Sequence, residues 1–219
     1  MKNNFWLTLF ALPLILSCSS DDSQPAPVEN PDDGPGFEIT TAIPDAVFEQ
    51  ALVTLDLDDE VDGSVVTSRI LGIKDLILND LGIADLRGIE DFQDLENLVV
   101  SNNSLTRLDV SNNTKLKFVY AENNELTFIR VQDLSFLEKI AAEGNKLFSL
   151  DTSSNPALQL LTLSDNDVEI ADVSANAQLT TFSIENNPLT CIKVSSDQFA
   201  NIPANWSKDV GAIYSEDCN

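Results

Sequence analysis

Apolar and polar positions repeat along residues 95–189 with a period of 21. Three apolar columns run in register: Leu98, Val119, Ile140, Leu161 and Phe182; Val100, Ala121, Ala142, Leu163 and Ile184; Leu105, Leu126, Leu147, Val168 and Leu189. A polar column of Asn103, Asn124, Asn145, Asn166 and Asn187 accompanies them. Apolar residues two apart, such as Leu98 and Val100, are strand alternation, so each unit is expected to supply one short strand with both side chains turned inward. A unit this short cannot bury its apolar side alone. Stacking on its neighbours does so, which makes successive strands parallel. The chain must then turn, and a buried turn carries backbone donors and acceptors that water cannot reach. An inward Asn amide offers donors and an acceptor together, so the Asn column reads as a structural ladder and not as a ligand site.

Written as a pattern, each unit is L-x-x-L-x-L-x-x-N-x-L, which resembles the leucine-rich repeat. The resemblance implies a short right-handed stack of parallel β-coils with one strand per repeat on a concave face. The second half of each unit has its own columns, Leu108, Ile129, Leu150, Ala171, Ile192 and Val110, Val131, Thr152, Val173, Val194. This nested form is similar to the 21-residue bacterial subclass called IRREKO. Helices of three turns do not fit in the remaining residues, so the convex side is expected to be extended chain and turns. Arg130 and Leu134 depart from the Asp and Asn found at Asp109, Asp151, Asp172 and at Asn113, Asn155, Asn176, so the third unit is expected to be irregular. Leu76 and Leu78 open the first strand, with Ile83 and Leu86 behind; the step to Leu98 is 22 residues and Leu81 stands in the Asn position. Residues 82–92 resemble the opening repeat of internalin-like proteins. Six coils are expected, over residues 76–190.

Both ends need covers. Residues 1–17 have Lys2 followed by an almost wholly apolar run, the layout of a secretory signal peptide. The ending Ile15-Leu16-Ser17-Cys18 resembles a bacterial lipobox, which implies acylation of Cys18 as the mature N-terminus. The acidic stretch after it, Ser19 to Ser23, resembles the export signal that sends Bacteroidetes lipoproteins to the outer leaflet of the outer membrane, the periplasm-facing orientation being the alternative. Residues 18–36, with four prolines and several acids, cannot bury enough surface to order themselves and read as a tether.

Residues 37–75 form the expected N-terminal cap. Pro44-Asp45 starts a helix whose Phe48, Ala51, Leu52 and Leu55 share one face, and this segment resembles the cap of secreted flavobacterial leucine-rich repeat proteins. The acidic loop Asp56–Gly63 lacks the carboxylate that an EF-hand places twelfth, because Arg69 is there counting from Asp58, so no metal site is expected. At the other end, residues 191–219 read as a C-terminal cap. With Cys18 lipidated, Cys191 and Cys218 remain as an even pair, expected to form a disulfide. Trp206, Ile202 and Phe199 are expected to cover the exposed end of the core.

Charge and missing residues narrow the function. Acids outnumber bases by 36 to 12, a net charge of -24, so nucleic acid is an improbable partner because nothing would neutralise its phosphates. Histidine is absent, which removes the commonest general base and metal ligand. Paired carboxylates alone could hydrolyse glycosides, yet the acids fall in turns and exposed columns, so no enzyme, catalytic residue or cofactor is expected. The candidate contact surface is the concave face, with outward residues Val99, Tyr120, Ala141, Thr162 and Ser183 beside Phe118, Lys139 and Leu160. Aromatic anchors within a polar rim suit a protein ligand, and they would also stack on a sugar ring. The expectation is a monomeric, lipid-anchored module that binds a protein, with glycan capture or a ligand-free envelope role as alternatives.

Overall fold

The structure, a computed structural model, describes residues 38–218. The signal peptide, Cys18, the acidic export-like stretch and the tether lie outside the described residues. Among the described residues no helix is long and apolar enough to cross a membrane.

The chain opens with β1 (Thr40–Ala42), α1 (Ala46–Thr54), β2 (Ser64–Val66) and α2 (Thr67–Ile70), β1 pairing antiparallel with β2. Asp45 both starts α1 and joins it to the repeats. Its Oδ1 accepts from the Val47 and Phe48 N–H groups, while Oδ2 accepts from Ala84 and Asp85 at 2.8 and 2.9 Å. Burial raises the pKa of this carboxyl, but the four backbone donors outweigh that and hold it below the ordinary range. The helix buries Phe48, Glu49 and Leu52; Leu55, expected on the inner face, is 47% exposed at the helix end. Glu49 takes an inner position because its Oε1 accepts from the N–H groups of Asp62, Gly63 and Ser64 at 2.6–2.9 Å, organising the acidic loop from within.

Strands of the repeats then follow: β3 (Asp75–Ile77), β4 (Asn97–Val99), β5 (Arg107–Asp109), β6 (Phe118–Tyr120), β7 (Phe128–Arg130), β8 (Lys139–Ala141), β9 (Leu160–Thr162), β10 (Ile170–Asp172), β11 (Thr181–Ile184) and β12 (Cys191–Lys193). After α3 (Ser196–Ala200) come β13 (Trp206–Lys208) and β14 (Ile213–Ser215). A long parallel sheet runs in the order β13-β11-β9-β8-β6-β4-β3. Its register places Leu76, Leu98, Val119, Ile140, Leu161, Phe182 and Trp206 in one line, all buried. Full burial of each aliphatic member contributes about 1.5–3 kcal/mol, shared between coils that could not hold it singly.

The second halves form smaller parallel sheets, β5-β7 and β10-β12-β14. The irregularity expected in the third unit falls one coil later. β7 forms because Leu134 fills the Asn position as a fully buried apolar side chain, and Arg130 reaches Asp109 at 3.6 Å. The break is at residues 149–151, where Leu150 is only half-buried and no strand pairing occurs.

A seventh strand lies beyond the six expected coils. Trp206 packs edge-on against Phe182 with ring centroids 5.4 Å apart, and Tyr214 stands beside Ile192 in register. Trp206 and Ile202 cover the core end, but Phe199 is 51% exposed. α3 is fixed by polar contacts instead: Ser195 and Gln198 form a reciprocal capping box. The Cys191–Cys218 disulfide closes this cap.

Candidate binding surface

The Asn column is a continuous set of hydrogen bonds that sets the geometry of the long sheet's face. Asn145 Nδ2 donates to Ala121 O, Ala142 O and Glu143 O at 3.0–3.2 Å, and its Oδ1 accepts from Leu126 N at 3.0 Å. Asn124, Asn166 and Asn187 repeat this arrangement. Successive rungs share acceptors. Val100 O, Ala121 O, Ala142 O and Leu163 O each receive amides from two neighbouring Asn residues. Asn103 begins the series, its Oδ1 accepting from Leu81, Gly82 and Ile83, so the first coil manages with Leu81 in the Asn position. Asp209 ends it, its carboxylate accepting from the N–H groups of Asn186 and Asn187.

A second ladder runs on the opposite side of the core. Asn113, Asn155 and Asn176 each donate to two carbonyls of the preceding coil. Gln198 takes the last place, its Nε2 donating to Val173 O and Asn176 O, both at 3.1 Å. Thr152, the polar member of an otherwise Val column, has its reason here: its hydroxyl donates to Asn176 Oδ1 at 2.8 Å. Where that neighbour is Ile89 or Val131, the buried Oδ1 atoms of Asn113 and Asn155 have no partner.

A third column, which the expectations missed, precedes the main rungs. Asp80, Asn102, Asn123, Asp165 and Asn186 have φ of 53–61°, and Gly144 has 67°. Only Gly and, less readily, Asn and Asp adopt this left-handed backbone, and their succession in the sequence was the available signal.

Both carbonyl rows being satisfied within the solenoid, the long sheet presents only side chains outward. One row reads Ile77, Val99, Tyr120, Ala141, Thr162, Ser183 and Ser207, and the next Asp75, Asn97, Phe118, Lys139, Leu160 and Thr181. Val99, Phe118, Tyr120, Lys139, Leu160, Thr162 and Ser183 are half-buried. Ala141 differs from expectation: it is only 6% exposed, because its methyl sits between the longer Tyr120 and Thr162. Lys139 Nζ lies 5.2 Å from the centre of the Phe118 ring.

Several acids elsewhere are occupied in structure. Arg69, at the place where an EF-hand needs a carboxylate, is 3.0 Å from Asp59. Asp58 is buried with an unpartnered Oδ2, and burial raises its pKa first, with the charges of Glu49, Asp59 and Asp62 adding to the rise. Among the described residues no three acids or cysteines converge as a metal set would. A groove of about 450 Å³ lies beside β5, but Asp85 on its wall is paired with Arg87 and Glu90 accepts from Gly88 N.

No protein-family model matches this chain, and no curated protein does. Among solved structures it is similar to the functional domain of InlJ from Listeria monocytogenes, which includes a cysteine ladder: TM-score 0.62 and 28% identity over 71% of this chain and 38% of that one. It is also similar in fold to internalin C2 of the same organism, with TM-score 0.50 and 20% identity over 80% of this chain and 87% of that one. The chain thus spans 38% of the length of the InlJ domain. These neighbours are internalin-type leucine-rich repeat proteins, and the chain is a leucine-rich repeat solenoid of about seven turns.

Proposed function

We propose that this chain is a lipid-anchored, cell-surface leucine-rich repeat module that binds a protein partner through the outward face of its long sheet. The observation that carries the reading is the half-buried set of Val99 and Tyr120 in one row and Phe118 and Leu160 in the next, on a sheet whose backbone groups are already satisfied. A surface of this kind binds by side-chain complementarity, with aromatic residues as anchors. Its likeness to internalin-type solenoids supports a binding role over a catalytic one. The anchor and the outward orientation rest on Cys18 and the acidic residues after it.

The test is a screen of the chain against arrays of extracellular proteins and glycans, repeated with Phe118→Ala/Tyr120→Ala. The expected result is a protein ligand whose binding falls at least about tenfold in the variant, as for loss of aromatic anchors, while the denaturation midpoint holds. A glycan ligand, or none, would overturn the reading. For the anchor, Cys18→Ala should release the chain from membranes, and protease treatment of intact cells should shave the wild type.

A further inference from the structure

The outward face of the long sheet lies between two unlike rims. Before the strands, Lys74, Glu96, Lys117 and Glu138 stand on successive coils, two bases and two acids, with Glu96 lying 2.8 and 2.7 Å from the two ammonium groups. After the strands, the corresponding row carries Glu122, Glu143 and Glu185. The register continues through this row, since Ala121 N donates to Ala141 O and Asn123 N to Glu143 O, both at 2.8 Å. Glu122 and Glu143 therefore occupy neighbouring strands, about 4.8 Å apart along the backbone. Like charges so placed oppose folding.

Among the described residues no cation reaches the carboxylates of Glu122, Glu143 or Glu185; the Glu122 carboxylate accepts from the Ser101 hydroxyl at 2.5 Å. The cations among the described residues are engaged elsewhere. Lys139, within the face itself, is turned onto Phe118. The face thus has an apolar centre, one neutralised rim and one rim of uncompensated negative charge.

We infer that the partner is a cationic segment of a protein, which lays apolar side chains on Val99, Tyr120 and Leu160 and its Lys or Arg groups along the Glu122, Glu143 and Glu185 rim. The inference rests on the outward face being the binding surface, as proposed above. Such a partner supplies the opposite charge that the fold withholds, and the rim steers it into one orientation. Crossing the five strands from Val99 to Glu185 needs about 19 Å, or about seven extended residues.

The test uses the full chain in detergent and three fluorescein-labelled peptides of about ten residues, alternating Leu and Tyr with Arg, with Gln or with Glu. Anisotropy titrations should show binding of the Arg peptide, weakening at least about tenfold between about 0.05 and 0.5 M NaCl. Glu122→Gln/Glu143→Gln should weaken it about tenfold, whereas Asp59→Asn/Glu60→Gln, which removes the same charge from the N-terminal cap, should not. Equal losses in the two charge variants would overturn the inference, because binding would then follow net charge alone. Tighter binding of the Gln or Glu peptide that is lost in Tyr120→Ala would overturn the inference and leave the proposed face standing. Binding of all peptides unaffected by Tyr120→Ala would remove both.

Discussion

The shared acceptors of the Asn ladder make its energetics testable in a way that a column of independent hydrogen bonds would not be. In Asn145→Ala, Leu126 N–H, fully buried, loses its only acceptor, while Ala121 O keeps Asn124 and Ala142 O keeps Asn166. One buried unsatisfied donor costs about 1–3 kcal/mol. Asn166→Ala likewise strands Leu147 N–H and leaves Ala142 O to Asn145. Removing both rungs strands Ala142 O as well, a group that neither single variant exposes. The double variant should therefore lose about 1–3 kcal/mol beyond the sum of the singles. Asn124→Ala/Asn166→Ala is the control: these rungs share no carbonyl, and Asn145 continues to serve both Ala121 O and Ala142 O. That pair should add within about 0.5 kcal/mol. Urea unfolding followed by far-UV circular dichroism measures the wild type and all five variants, with equal slopes required for the comparison. An additive adjacent pair, or an alternate pair coupled just as strongly, would refute the sharing argument.

Further outcomes follow from single contacts. Thr152→Val should lower stability by about 1 kcal/mol because Asn176 Oδ1 loses its donor, whereas Val131→Thr offers one to the orphaned Asn155 Oδ1 and should shift the urea midpoint upward relative to it. Gly88→Ala should lower the melting temperature sharply: φ is 99°, and the added methyl would lie 2.6 Å from Ala42 O and 2.4 Å from Ile43 Cδ1, where the cap meets the first coil, a strain of about 1–3 kcal/mol. Glu96 has its pKa lowered from 4.5 to about 2 by hydrogen bonds from Lys117 and then Lys74. A depressed carboxyl stabilises fully above its unfolded value, so this contribution should persist at neutral pH and fade as pH falls from 4.5 through about 2. An NMR titration of the Glu96 side chain with a midpoint at the ordinary value would show that the two lysines do not hold it.

The main architecture was legible because its period is constant. Asn103 to Asn187 and their flanking aliphatic residues keep one spacing, and a strand of three residues with an inward amide after it satisfies that spacing coil after coil. The seventh strand escaped because the step from Phe182 to Trp206 is 24 residues, the insertion holding α3, and the step from Ile192 to Tyr214 is 22. Helical periodicity placed Leu55 inside and made no assignment for Glu49, whereas the three backbone N–H groups of residues 62–64 reward a carboxylate in the inner position. Strand alternation indicates which positions turn outward, but how far each side chain projects depends on its cross-strand neighbours, and Ala141 is overshadowed by Tyr120 and Thr162. The two rims depend on which lysine reaches which glutamate, a three-dimensional matter that the column of letters does not carry.

The proposed role turns on which side of the solenoid meets its partner. The direct measurement is photo-crosslinking on intact cells from a probe placed at residue 120, on the long sheet's face, compared with one at residue 148, which is 64% exposed beside the second-half strands. A protein adduct from residue 120 and none from residue 148 is expected. Adducts from residue 148 alone, or equally from both, would contradict the account.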